Sequence, residues 1–392
     1  MTSTLDERAG MEFEVRLGSV RYPMLLGMEW RELMTHRLLH LSASRYLVVC
    51  DAHTGSLYGR DLVQRLSDHA PTDLLTHPAG ERGKNLAAVG ELAETALELG
   101  ADRASVVVAV GGGITGNIAG LMAALLFRGI RLVHIPTSLI AVLDSVLSLK
   151  QAVNTSVGKN LIGTFYAPVE VVADTAMLRT LPRRETISGL CEAIKNALAI
   201  RPEMIELLLA ELRPDARYDD EPMHSIIVES LLAKASVTID DEHECRSGLV
   251  LEYGHTVGHA IEHVAGGELS HGEAVGLGMI AAAEVSHRLA HLDAAAVELH
   301  RQLLEQAGAM TAIPDSIDLD EVARRLRFDN KRGYLRSTQG CLAMVLLRGY
   351  GEPIWYDDRP LVPVPIALVH DVLRDMCAVD KPELQSQFSV VR

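Results

Sequence analysis

The chain has 392 residues, 48% of them hydrophobic and 23% charged, enough for two domains with a sizeable core. Its 37 Lys and Arg against 52 Asp and Glu leave a net charge of -15, which excludes a nucleic-acid or anionic-membrane surface as its main function. No close cysteine pair, no run of ~18 apolar residues and a polar start, MTSTLDERAG, make a cytoplasmic protein with reduced thiols the expectation.

Residues up to about Gly10 read as a disordered tail. Residues 11–28 read as a hairpin turning at Leu17-Gly18-Ser19. The apolar run 45–50 ends in Asp51 and has the character of a buried parallel strand. A helix is expected at 57–68, a strand at 72–77, a helix at 84–99, a strand at 105–110, a helix at 116–127 and a strand at 131–135. This alternation predicts a parallel sheet with helices on both faces. After about residue 180 the pattern becomes helical, at 185–200, 222–240, 251–264 and 273–291, with one late strand at 341–347. The expected fold class is α/β: an N-terminal Rossmann-like nucleotide-binding domain, 1–180, followed by a mostly α-helical metal- and substrate-binding domain, 181–392. The segment past about residue 382 carries no reading.

Strand 105–110 runs into GGGITGN and a helix. Glycines let a backbone approach a phosphate closely, and a helix N-terminus favours negative charge. A tight strand–helix turn is the alternative reading of the same glycines. Asp51 suits a ribose hydroxyl or a local cap equally, and Glu81 with Lys84 suits a surface ion pair. In the segment LEYGHTVGHAIEH, a helix from 251 would align Glu252, His255, His259 and His263 on one stripe. His255 and His259 have metal-ligand spacing, and His271 follows the Gly266-Gly267 break closely enough to turn back beside them. Glu192, Lys195 and Asn196 share a face of another helix. Two histidines with a carboxylate leave a coordination position open, as catalytic zinc sites do. Residues 144–166 hold Lys150, Asn154, Lys159 and Asn160, donors suited to a phosphate or polyol, with a solvated loop as the plainer reading.

Together these segments resemble the dehydroquinate synthase-like superfamily of sugar phosphate cyclases over about residues 45–331. The resemblance is carried by Glu81-Arg82-Gly83-Lys84, GGGITGNIAG at 111–120, Arg128-Gly129, IPTS at 135–138, Asp144, Lys150, Lys159-Asn160, CEAIKN at 191–196, Lys234, GHTVGHAIE at 254–262 and His271-Gly272-Glu273. It implies NAD on Asp51, Glu81, Lys84, Gly113, Ile114, Thr115, Gly116, Asn117, Thr137, Ser138, Ser148, Lys159 and Asn160. It implies a divalent metal, Co2+ or Zn2+, on Glu192, His255 and His271. Arg128, Asp144, Lys150, Asn160, Lys195, Lys234 and His259 are the substrate-binding positions it implies, in a homodimer whose Arg128 reaches the neighbouring active site. Lys150, Glu252 and His259 are the expected catalytic groups.

Two departures from the dehydroquinate synthase pattern narrow the substrate. Gly248 stands where that enzyme has a carboxylate-binding Arg, and Glu252 stands where it has Asn. Losing a guanidinium argues against a carboxylate-bearing substrate, and Glu252 adds an acid–base group. With the Leu147–Lys150 segment, these favour a family branch acting on glucose 6-phosphate. A cyclase of sedoheptulose 7-phosphate, a dehydroquinate synthase, a metal-dependent polyol dehydrogenase and a nucleotide-binding sensor without chemistry are the alternatives. The filled lysine and metal positions speak against the sensor.

Overall fold

In the computed structural model, which describes residues 4–6, 10–156, 158–329, 331–335 and 339–377, the sheet is built from the runs that the sequence marks as most apolar. The strands are β1 (Thr4–Asp6), β2 (Gly10–Leu17), β3 (Val20–Gly27), β4 (Tyr46–Asp51), β5 (Thr72–His77), β6 (Val106–Gly111), β7 (Arg131–Pro136), the hairpin pair β8 (Lys150–Val153) and β9 (Ile162–Phe165), and β10 (Glu170–Asp174). One eight-stranded sheet has the order β1-β2-β3-β10-β7-β6-β4-β5, parallel from β3 to β5. Every residue of β6 and β10 is buried, as central parallel strands covered by helices require. The β2–β3 hairpin turns at Gly18-Ser19, as the sequence suggests, and β3 then joins the parallel sheet through β10.

The N-terminal reading needs correction: Thr4–Asp6 pairs antiparallel with β2, while residues 1–3 and 7–9 lie outside the described residues. The segment past residue 377 lies outside them as well. The helix after the glycine loop begins at Gly113, three residues before the expected start. Gly112 caps it in an extended conformation, so the whole loop is a strand end followed directly by a helix N-terminus. A Cβ on Gly111 would stand 2.4 Å from Thr115 Oγ1, which explains the glycine there.

Long helices follow: Arg183–Ala199, Asp220–Thr238, His255–Ala265, His271–Arg288 and Ala294–Gln306. The single late strand becomes four short ones, Cys341–Met344, Leu347–Gly349, Glu352–Pro353 and Val362–Pro365, paired two by two. The helices pack on β2, β3 and the short helix Leu139–Leu143, so one hydrophobic core runs from Phe13 to Met376 across both parts. No helix among the described residues is long and apolar enough to cross a membrane.

The helix expected from residue 251 is interrupted. Ser247–Glu252 forms a 3-10 turn, and the α-helix starts at His255. Gly254 between them has φ 79°, a left-handed conformation that only glycine adopts readily. It also lies against the His271–Arg288 helix, where a Cβ would meet Met279 Cγ at 2.7 Å. The single stripe therefore breaks: Glu252 belongs to the preceding turn, and His263 ends exposed.

Candidate active site

Three elements converge at the C-terminal ends of β4, β6 and β7, where open α/β sheets bind ligands. The Arg183–Ala199 helix is buried from Thr186 onward and carries Glu192 and Lys195. The left-handed Gly254 starts the second helix so that His255 sits in its first turn. The third helix begins at His271, fixed by a capping box in which Ser270 and Glu273 satisfy each other's backbone N–H groups. Glu192 Oε1 lies 3.7 Å from His255 Nε2 and 3.7 Å from His271 Nε2. The Tyr253 carbonyl 3.1 Å from His255 Nδ1, and the Glu262 carboxylate 3.1 Å from His271 Nδ1, each accept the Nδ1 proton.

This donor set fits a divalent cation. Glu192 Oε1 is buried and has no hydrogen-bond partner among the described residues, while Oε2 accepts from Lys195. An unpartnered buried carboxylate oxygen facing two imidazole lone pairs is costly until a cation stands between them. Burial and the Lys195 ammonium push His255 down to about 3, keeping that imidazole neutral, the form that ligates metal. Burial alone would lower His271 too, but Glu262 outweighs it and raises the ring's pKa, so the position welcomes positive charge. His259 is a fourth donor, since its nitrogen lies within 4.8 Å of those of His255 and His271. Glu192 is the better third ligand because its oxygen is anionic and unpartnered.

Beside this cluster stand ion pairs of opposite sense. Glu252 Oε2 accepts from Lys331 Nζ at 3.1 Å, and Lys331, only 1% exposed, is also held by Asp329 at 2.9 Å. Burial would raise Glu252, but Lys331 and Lys150 hold it well below the usual carboxylate range. Lys150 projects into the open cleft, 42% exposed, with Nζ 2.5 Å from Glu244 Oε2. Burial would lower Lys150, yet Glu244 and Glu252 raise it above the ordinary lysine value. Two of the three expected catalytic groups are thus poised oppositely, Glu252 as a carboxylate and Lys150 as an ammonium. Asp144 accepts from Lys234 Nζ at 2.5 Å, and Lys234 with Lys195 holds it below the carboxylate range against the effect of burial.

At the nucleotide end, Asp51 Oδ1 accepts from Thr54 N at 2.8 Å, a local cap at the mouth of the cleft. Glu81 and Lys84 do not form the surface ion pair that their spacing suggests. Lys84 is 6% exposed, donates to Asn160 Oδ1 at 2.6 Å and is pushed down to about 8 by burial. Glu81 accepts from Asn154 at 2.8 Å and pairs with Lys159 at 3.2 Å. Within 144–166, the β8–β9 hairpin and the loop residues 154–156 and 158–161 wall the cleft, so the described part is not a free solvated loop. Asn117, its amide anchored on Gly113 O, accepts from Ala152 N and ties this wall to the glycine helix. Gly113, Ile114, Thr115, Thr137, Ser138 and Ser148 line the same cleft, and Gly116 lines a small pocket that shares Gly113, Asn117 and Lys150 with it. The cleft encloses about 1820 Å³, beyond the ~300–1,000 Å³ of a single-ligand pocket and ample for a dinucleotide with a small sugar phosphate. Arg128 stands apart: it is exposed, has φ 66° and does not line this cleft.

Three participants escape a reading of the sequence. Glu262 holds both His271 and Lys159, the latter at 2.6 Å. Its place three residues after His259, in the segment HAIEH, was a usable signal. Glu244 and Lys331 meet their partners across 94 and 79 residues, and no local pattern announces them.

A Rossmann-like sheet feeding a helical part, with this donor cluster beside the glycine loop, is an architecture that can hold a nucleotide and a divalent metal side by side. The chain belongs to the 3-dehydroquinate synthase family: residues 74–188 match its N-terminal model and 189–332 its C-terminal model. It is 67% identical over 375 residues, 96% of this chain and 94% of the other, to 2-deoxy-scyllo-inosose synthase of Micromonospora echinospora. The crystal structure of a 2-deoxy-scyllo-inosose synthase complexed with carbaglucose-6-phosphate, NAD+ and Co2+ superposes with a TM-score of 0.88 at 37% identity, over 93% of this chain and 100% of the other. A 2-epi-5-epi-valiolone synthase from Streptomyces hygroscopicus subsp. jinggangensis, with NAD+ and Zn2+ bound, superposes at 0.78 with 26% identity, over 92% and 98%.

Proposed function

We propose that this chain converts D-glucose 6-phosphate into 2-deoxy-scyllo-inosose and inorganic phosphate, as a carbon–oxygen lyase that closes a carbocycle. The observation that carries the reading is the oppositely poised pair, Glu252 and Lys150, in one cleft with the Glu192–His255–His271 donor set. The net change is loss of phosphate with ring closure and no net oxidation. NAD along the glycine loop and a divalent ion on Glu192, His255 and His271 would supply, when bound, a hydride acceptor restored within each cycle and a Lewis acid at a sugar oxygen.

The chain's own residues would do the rest. Glu252, held as a carboxylate, is suited to receive a proton from an activated hydroxyl or carbon. Lys150, held as an ammonium, is suited to donate to an oxygen that gains charge, at the leaving phosphate or at the aldehyde during ring closure. The buried Lys195 and Lys234 place positive charge against Asp144 and give an anionic sugar phosphate its local field despite the net charge of -15. His259, pushed down to about 3 chiefly by burial, is a neutral hydrogen-bonding partner for the sugar.

The reading extends to a cytoplasmic homodimer, with Arg128 of each protomer serving the neighbouring cleft, and to a division into domains 1–180 and 181–392. Arg128's exposure away from its own cleft supports the first part. The product would be the carbocycle of the 2-deoxystreptamine aminoglycoside antibiotics. The test is phosphate release from a panel of sugar phosphates with catalytic NAD+ and Co2+ or Zn2+. Glucose 6-phosphate should be the preferred substrate, and release from sedoheptulose 7-phosphate instead would overturn the assignment.

A further inference from the structure

Glu244 belongs to no motif in the sequence, yet it is only 8% exposed and both its carboxylate oxygens are engaged. Oε1 accepts from Ser148 Oγ at 3.1 Å, and Oε2 accepts from Lys150 Nζ at 2.5 Å. Ser148 Oγ in turn accepts from the Lys150 backbone N–H at 3.2 Å. The carboxylate therefore grips Lys150 at its tip directly and at its root through Ser148.

The loop carrying Glu244 is built to aim it. Asp241 Oδ1 accepts from Cys245 N at 2.9 Å, and Asp241 Oδ2 accepts from Arg246 N at 2.6 Å and Gly248 N at 2.9 Å. Three backbone donors on one buried carboxylate fix the turn. Within it Glu244 has φ 52°, a left-handed conformation that is unfavourable for a non-glycine residue and persists only where its surroundings impose it. Gly248 completes the device. A Cβ there would stand 3.0 Å from Glu244 Cβ and 3.1 Å from Asp241 Oδ2, so any side chain at 248 presses on both the carboxylate and its anchor.

We propose that Glu244 is a positioning residue that fixes Lys150 in the cleft as an oriented ammonium, and that Gly248 is required because it leaves room for that carboxylate. This deepens the cyclase reading and rests on Lys150 acting in the cleft. It also gives the glycine at 248 a positive role, because the space a side chain would occupy there belongs to the group that prepares the lysine. The other ionisable groups facing Lys150 are Glu252, Asp144 and the Tyr334 hydroxyl, none of which the device alters.

The experiment is competitive acetylation of the full chain loaded with NAD+ and Co2+, reading Lys150 by peptide mass spectrometry, in the wild type, Glu244→Gln and Gly248→Val. A neutral amine is the acylated form, and an opposite charge at this range favours the ammonium. Acetylation of Lys150 should therefore rise about 10-fold or more in Glu244→Gln and also rise in Gly248→Val, with the other lysines unchanged. The kcat of Glu244→Gln should fall about 10-fold or more while KM for glucose 6-phosphate stays within about 3-fold. Glu244→Asp, which keeps the charge, should restore protection of Lys150, and it serves as the readout if Gly248→Val fails to fold. Wild-type acetylation of Lys150 in a folded Glu244→Gln protein overturns the proposal, whatever its turnover. An inactive wild type would refute the cyclase reading instead and leave the acetylation result standing.

Discussion

Glu262→Gln tests the proposed metal site through the carboxylate that holds His271. The carboxylate is 11% exposed and serves two donors at once, His271 Nδ1 at 3.1 Å and Lys159 Nζ at 2.6 Å. A glutamine has one oxygen and one NH2 group, so whichever way the amide turns, one of these contacts becomes donor against donor. Lys159 keeps Glu81 at 3.2 Å, but His271 has no second anion on its Nδ1 side among the described residues. The imidazole then loses the charged partner that orients its Nε2 toward Glu192 and raises its basicity. Such partners of ligating histidines are worth ~10–100-fold in metal affinity, or about 1.4–2.7 kcal/mol. The assay is transfer of Co2+ or Zn2+ to a chromophoric chelator at fixed pH, with thermal unfolding as the control for folding. A folded variant that holds metal within about 2-fold of wild type would refute His271 as a ligand oriented by Glu262.

Glu252→Gln should bind NAD+ and metal normally, because Lys331 retains Asp329 at 2.9 Å, while turnover drops by ~10²–10⁴-fold. Turnover near wild type removes Glu252 from the chemistry. Arg128→Ala and Glu252→Gln, each inactive alone, should recover about a quarter of wild-type activity when mixed and reassociated, since about half of random dimers are hybrids with one intact site each. No recovery despite subunit exchange would confine Arg128 to its own protomer. Lys84, pushed down to about 8 by burial, is an ammonium below that pH and neutral above it. NAD+ affinity, measured by calorimetry, should therefore weaken as pH rises through about 8 in the wild type and stay flat in Lys84→Met; parallel profiles would exclude Lys84 from the nucleotide site.

Much of the architecture was legible because it is periodic. The buried runs of β4 and β6 and the helix at Leu86–Glu98 fall within a residue or two of their expected places. What was misread depends on single residues or distant contacts. Gly254 breaks an otherwise convincing helical stripe because its carbonyl packs against Gly278, where a Cβ would come within 1.9 Å, and no spacing rule reports such an approach. The strand β10 is only five residues long and runs directly into the 3-10 helix Thr175–Thr180, so only its place beside β3 and β7 makes it central. At the site, the proposed metal donors could be suspected from residue type and spacing. The strength with which the working groups are held could not, because Glu244 raises Lys150 and Lys331 lowers Glu252 from 94 and 79 residues away in the chain.

The central claim is that oxidation and reduction cancel within one turnover while phosphate leaves for good. The most direct measurement follows phosphate and NADH together, with glucose 6-phosphate in excess over a trace of NAD+ and with Co2+ present. The account predicts many phosphates released per NAD+ and no accumulation of NADH. Phosphate release limited to the amount of NAD+ supplied, or NADH accumulating in step with substrate loss, would contradict it and identify a dehydrogenase.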